Sequence, residues 1–139
     1  MNSLKVGNVI LMGNKSNRRP CKVIEINKAT PGKHGHAQYN VVGRDFITEK
    51  KVNELFKHHD HYTEVSSNKR TYTGIEYNGE YLSVMDDDGI VHNDFKLPSK
   101  LVKKYEKHKD EFNITTIFFT WKNDKDETMQ LEVVADITS

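Results

Sequence analysis

Apolar and polar positions along the chain change places over short distances, and most segments follow the two-residue period of half-buried strands. Val9–Met12 reads as a first strand, closed by Gly13-Asn14 and the polar run 15–19. Pro20–Asn27 follows, with Val23, Ile24 and Ile26 as its apolar content, then Ala37–Val42, Lys51–Phe56 and Tyr62–Val65. Ser66-Ser67-Asn68-Lys69 holds no apolar residue and reads as a junction between domains. Beyond it the pattern predicts strands over Thr71–Tyr77, Tyr81–Met85 and Ile90–Leu97, with turns at Asn78-Gly79 and Asp86–Gly89. Pro98-Ser99 opens a single helix over Lys100–His108, where Leu101, Val102 and Tyr105 share a stripe. Strands over Phe112–Trp121 and Thr128–Ile137 end the pattern.

This order predicts a mainly β protein of two small barrels. Residues 1–66 form an SH3-like barrel. Residues 67–139 follow the order of an OB-fold, with five strands and one helix between the third and fourth.

Charge sharpens the division. The 139 residues carry 21 Lys and Arg against 20 Asp and Glu, a formal net charge of +1. Residues 1–66 hold 11 basic and 6 acidic residues, a net of +5, and residues 67–139 hold 10 and 14, a net of −4. The basic half suits a polyanion, whereas the acidity of the second opposes nucleic-acid binding unless its charge is segregated. No stretch approaches the roughly 18 apolar residues of a spanning helix, and the start lacks the apolar region of a signal peptide. The single cysteine, Cys21, provides no internal disulfide and reads as a small core residue in a reducing compartment.

The stretch from Lys28 to His36 stands apart, with two glycines, one proline and no large apolar residue. It reads as an exposed loop in which Gly32 and Gly35 bracket Lys33 and His34. A lysine held between two such glycines suits entry into a narrow cavity, and the same residues also fit an ordinary polar hairpin. The phosphate-loop pattern fails because His34 follows Gly32-Lys33 where Ser or Thr belongs, and the next segment reads as a strand rather than a helix. His34 and His36 could share a strand face as half of a metal site, and His58, His59 and His61 flank Asp60, but no known zinc spacing is present. Asp86-Asp87-Asp88-Gly89 lacks the closing glutamate of a calcium loop. No nucleophile elbow occurs. Lys15, Arg18, Arg19, Lys22, Lys28, Lys33, Arg44, Lys50, Lys51 and Lys57 concentrate basic charge around the loop, as a phosphate-facing barrel would.

The run Pro31-Gly32-Lys33-His34-Gly35-His36-Ala37 resembles the modification loop of the hypusine-containing translation factors, the initiation factor five-A family of eukaryotes and archaea. Arg19–Glu25, Val42–Asp45 and Thr48–Lys51 resemble the stretches around that loop, and Tyr81–Asp86 and Asp94–Pro98 resemble the family's second domain. Thr30 and Gln38 depart from the basic residues many relatives carry there. The resemblance implies a translation elongation factor, not an enzyme, with hypusine formed on Lys33. Deoxyhypusine synthase would transfer an aminobutyl group from spermidine, and deoxyhypusine hydroxylase would complete the residue. Gly32, His34, Gly35 and His36 become modification-loop contacts, with no catalytic residue, no metal and no further cofactor. The implied partners are the ribosome, through rRNA and peptidyl-tRNA, and the two modifying enzymes, in the cytoplasm and away from membranes. The implied role is to position peptidyl-tRNA, relieve stalling at proline runs and assist termination. An unmodified two-barrel RNA-binding module is the alternative.

Overall fold

A computed structural model describes residues 3–14, 17–29 and 37–139. The chain is mainly β, with two curled half-barrel sheets and one short α-helix. It divides into two compact units, Met1–Ser66 with Thr120–Met129, and Ser67–Phe119 with Gln130–Ser139.

The first sheet runs β1 (Val9–Met12), β2 (Arg19–Ala29), β3 (Gln38–Asp45) and β4 (Lys51–Lys57), each antiparallel to the next. Alternation puts Cys21, Val23, Tyr39, Val41 and Phe56 into one core with Leu4, Ile10 and Met12. Val23 and Ile24 are adjacent apolar residues, which breaks strict alternation. A register shift between Val23 and Glu25 resolves this: the extra residue changes the parity of the strand, so that Ile26 packs on the core and Glu25 is exposed. A Cβ at Gly43, where β2 and β3 meet, would lie 3.0 Å from the Cys21 Cβ and 2.5 Å from the Met12 sulfur, so the Met12 side chain would have to shift.

The sequence reading differs from the structure at three elements. Tyr62–Val65 forms no strand; its backbone meets β1 only at the Ile10–Glu64 bridge, with Leu11 N donating to Thr63 O and Val65 N to Val9 O. The polar run Ser66–Lys69, where the chain passes from the first unit to the second, is the start of a twelve-residue strand, β5 (Ser66–Tyr77). Its side chains are all exposed until Tyr72, so no apolar period marks it. The helix begins as a 3-10 turn, Ser99–Leu101, and becomes α1 only over Val102–His108.

The second sheet adds β6 (Tyr81–Met85), β7 (Val91–Lys96), β8 (Asn113–Lys122) and β9 (Thr128–Thr138) in the order β7-β6-β5-β8-β9. Gly79 takes a φ of 96° in the β5–β6 turn, where Asn78 Oδ1 accepts from Glu80 N and Tyr81 N. Leu101 and Tyr105 dock α1 onto Leu82, Phe95, Phe112, Ile114 and Ile137. Tyr105 meets Phe112 edge to face, with ring centroids 5.3 Å apart. Gly74 leaves room for the Phe112 ring, which any Cβ at that position would penetrate.

Candidate functional site

β2 and β3 are the two strands that lead into and out of the segment singled out in the sequence. Their register runs from Cys21–Asp45 to Ala29–Gln38. The proposed modified lysine, Lys33, and its neighbours Gly32, His34, Gly35 and His36 lie outside the described residues, as do Thr30, Pro31 and Lys15. What the structure establishes is the platform beneath that segment. Near its end, Lys28 sits with Nζ 5.9 Å from the centre of the Tyr39 ring, within the range of a cation–π contact.

The outer face of the first sheet carries a row of cations. Lys22 pairs with Arg44 across β2 and β3, and Arg44 pairs with Lys51 across β3 and β4. All three are exposed. Like charges directly opposite one another on adjacent strands oppose folding, and no carboxylate belongs to the row. The Arg44 Nη1 donates to Glu49 O at 2.8 Å, which holds that guanidinium at one end of the sheet. Such a row meets a phosphate backbone with three positive groups at strand spacing.

Two of the basic residues assigned to that face do other work. Arg18 donates to the carbonyls of Gly13 and Leu11 and pairs with Glu54 at 3.3 Å, closing the β1–β2 turn. Arg19 Nη2 lies 2.8 Å from the Asp45 carboxylate, which is almost fully buried and accepts the Ile47 and Thr48 N–H groups. These arginines are structural. The sequence lists the cations, but only the strand register separates Lys22, Arg44 and Lys51 from Arg18 and Arg19.

The other candidates separate cleanly. Cys21 is wholly buried, and its Sγ donates to Arg19 O. Burial first, then the Asp45 carboxylate, pushes the thiol up to about 12, while Arg19 pulls the other way. It is a core residue, not a nucleophile. Native protein should therefore resist iodoacetamide at pH 8, and the same thiol should react fully in denaturant. The linkage has a sign: the unfolded thiol ionises near 9.0 and the folded one near 12, so stability falls as pH rises between those values. A urea midpoint that stays flat above pH 9 in wild type and matches Cys21→Ala would contradict this.

His58 and His59 contact each other ring to edge, with centroids 5.0 Å apart. No group of three or more His, Cys, Asp or Glu among the described residues could hold a metal ion. The Asp86 turn is self-contained: Asp86 Oδ1 accepts from Asp88 N and Ile90 N, and Oδ2 lies 3.0 Å from His92 Nε2. The His92 hydrogen bond, chiefly, holds the Asp86 carboxyl below the ordinary carboxylate range. No helix among the described residues is long and apolar enough to cross a membrane.

Two curled β units, the first with a cationic outer sheet face, define a two-module β protein. Residues 1–59 match the family model described as translation initiation factor 5A-like, N-terminal. Among curated proteins, the chain is 36% identical over 83 residues to eukaryotic translation initiation factor 5A-1 of Medicago sativa, covering 58% of this chain and 52% of that one. It is 37% identical over 95 residues to eukaryotic translation initiation factor 5A-2 of Saccharomyces cerevisiae, covering 68% and 57%. The chain thus spans little more than half the length of these relatives. An initiation factor 5A family protein from Naegleria fowleri superposes with a TM-score of 0.71 at 27% identity, covering 99% of this chain and 94% of that one. The factor from Methanococcus jannaschii gives 0.69 at 19% identity, covering 98% and 90%, a likeness of fold. Residues 1–59 are thus an initiation factor 5A-like N-terminal domain, and the curated relatives and both solved structures come from the translation initiation factor 5A family.

Proposed function

We propose that this chain is a translation factor that works on the ribosome during elongation, with hypusine formed on Lys33. The observation that carries the reading is the family match over residues 1–59, which contains Lys33. The Lys22–Arg44–Lys51 row, at the end of the β2–β3 ladder away from the Ala29–Gln38 pair, supports it, because a factor working among RNA phosphates gains from a cationic face.

The mechanism proposed is physical rather than catalytic. Deoxyhypusine synthase and deoxyhypusine hydroxylase lengthen the Lys33 side chain and add a second cationic nitrogen. That arm contacts phosphate and sugar groups of peptidyl-tRNA and raises the fraction of reactive geometries, a proximity and orientation effect. Gain is largest where the substrate is poor, as at proline runs, and the same restraint assists termination. Bond making remains with ribosomal RNA, so the chain is no enzyme and works in the cytoplasm.

Peptide mapping of protein purified from its native source tests the reading directly. The peptide containing Lys33 should carry the hypusine mass increment. Plain lysine in actively growing cells would sink the mechanism.

A second reading is favoured by the cation row itself, which needs no modification: the chain would be an RNA-binding module of two barrels. Equal ribosome binding by wild type and Lys33→Ala would select it.

A further inference from the structure

The acidic second half hides a further division of charge. Six of its ten basic residues, Lys96, Lys100, Lys103, Lys104, Lys107 and Lys109, fall within positions 96–109, where Glu106 is the single acid. The remainder of residues 67–139 then holds 4 basic and 13 acidic residues. The basic run covers the 3-10 turn and α1.

Packing decides where these cations point. Leu101 and Tyr105 are buried in the core of the second unit. At 100° per residue, Lys103 and Lys107 lie on the side opposite that stripe, one turn apart. Both are exposed, and no carboxylate among the described residues pairs with either. Two neighbours are neutralised instead: Lys104 reaches Asp136 at 2.6 Å, and Lys109 lies 4.0 Å from Glu106.

The ridge opposes the helix that carries it. Lys103 and Lys107 repel at i, i+4, and α1 has no acidic residue in its first turn to offset them. A seven-residue helix gains little from its own propensity. A like-charge ridge kept on it points to an external anion.

We infer that the outer face of α1 is an RNA phosphate contact, centred on Lys103 and Lys107 and separate from the cationic sheet face of the first unit. The cations of this face are all lysines, and the one acid beside them, Glu106, is turned to Lys109. Lysine acts as a compact point charge that suits phosphate, whereas the bidentate grip on carboxylates belongs to arginine. Lysine is also depleted from protein–protein interfaces, where aromatic residues and arginine are enriched. With no exposed ring in α1, the contact reads the backbone and not the bases. The choice of RNA as the polyanion rests on the translation reading above; the charge geometry does not.

The test uses the full recombinant chain, unmodified at Lys33, with a fluorescein-labelled RNA duplex of about 20 base pairs and a polyglutamate of similar length as probes. Wild type should bind the duplex in a salt-dependent way and polyglutamate far more weakly. Lys103→Gln with Lys107→Gln should lower duplex affinity about tenfold at low salt, and flatten the slope of log affinity against log salt by about 1.5 to 2, as loss of two phosphate contacts requires. Lys103→Arg with Lys107→Arg should restore both. Removing two cations elsewhere, by Lys122→Gln with Lys125→Gln, should change affinity less than threefold. The thermal midpoint of the Gln variant should hold or rise, since a repulsion is removed. Unchanged duplex binding in the Gln variant, a wild type that binds no duplex, or tighter binding of polyglutamate each overturns the inference. Those outcomes leave the Lys33 reading standing, because the unmodified protein is used throughout. Loss of Lys33 modification in cells would remove that reading without touching duplex binding.

Discussion

A Lys33→Arg chain should fold as wild type does and fail completely in cells that depend on it. Aminobutyl transfer needs a neutral primary amine to attack the activated carbon, and lysine can release its proton to become one. The guanidinium of arginine stays protonated and delocalised at any physiological pH. Charge at position 33 is thereby kept while the acceptor chemistry is removed, which separates a modified arm from a merely cationic loop. Stability should be unaffected, because the segment Lys28–His36 contains no large apolar residue to withdraw from a core. The measurement is growth of a strain depleted of its own factor and supplied with either chain, beside a thermal melt of both proteins. Growth on Lys33→Arg would end the hypusine mechanism. A melt shifted by more than a degree or two would end the exposed-loop account.

The second large effect concerns stability, and it lies in the second unit. Glu132 on β9 accepts hydrogen bonds from Tyr72 OH at 2.7 Å and from Thr116 Oγ1, and its other oxygen lies 3.6 Å from Arg70. Thr116 is fully buried and Tyr72 nearly so. The Arg70 guanidinium stacks 3.8 Å from the centre of the Phe118 ring. Burial, and then the Glu132 hydrogen bond, raises the Tyr72 phenol above its ordinary range. Glu132→Ala strands two buried hydroxyls at once, at about 1–3 kcal/mol each. A loss of about 3 kcal/mol is expected, or well over 10 °C in the midpoint of a unit this size. Glu132→Gln keeps an acceptor with two lone pairs and should lose less than half as much. Equal losses in the two variants would show that charge, not hydrogen-bond satisfaction, holds the cluster.

How much of this was legible in advance varies with the residue. Strands with an apolar period were visible, as were the Asn78-Gly79 and Asp86–Gly89 turns, because local chemistry sets them. Ser66–Lys69 is legible as the junction between units but not as a strand, since every side chain there is exposed; its pairing is a backbone matter that leaves no trace in side-chain polarity. Tyr62–Val65 alternates like a strand but finds β1 at one bridge only. The Glu132 cluster joins residues 60 and 16 positions apart, beyond any local pattern. The role of Lys33 came from family resemblance and could not come from spacing, since a glycine-bracketed lysine is equally at home in a plain polar hairpin. Arg18 and Arg19 looked identical in kind to Lys22 and Arg44 until the register sorted inward from outward.

The ladder between β2 and β3 also constrains how proteins of this design can differ in size. Its partners alternate between a core side and an outer side, with parity already adjusted once between Val23 and Glu25. Adding one residue to each strand would turn Tyr39 outward and bring an outer residue in. Short of another bulge, paired changes of two residues per strand preserve both faces, and each such step moves the far end by about 6.6 Å. The distance from the core to the Ala29–Gln38 end of the ladder is therefore a quantity evolution alters in discrete strides. A distance to a fixed target, once matched, is protected against gradual drift by the pleat itself.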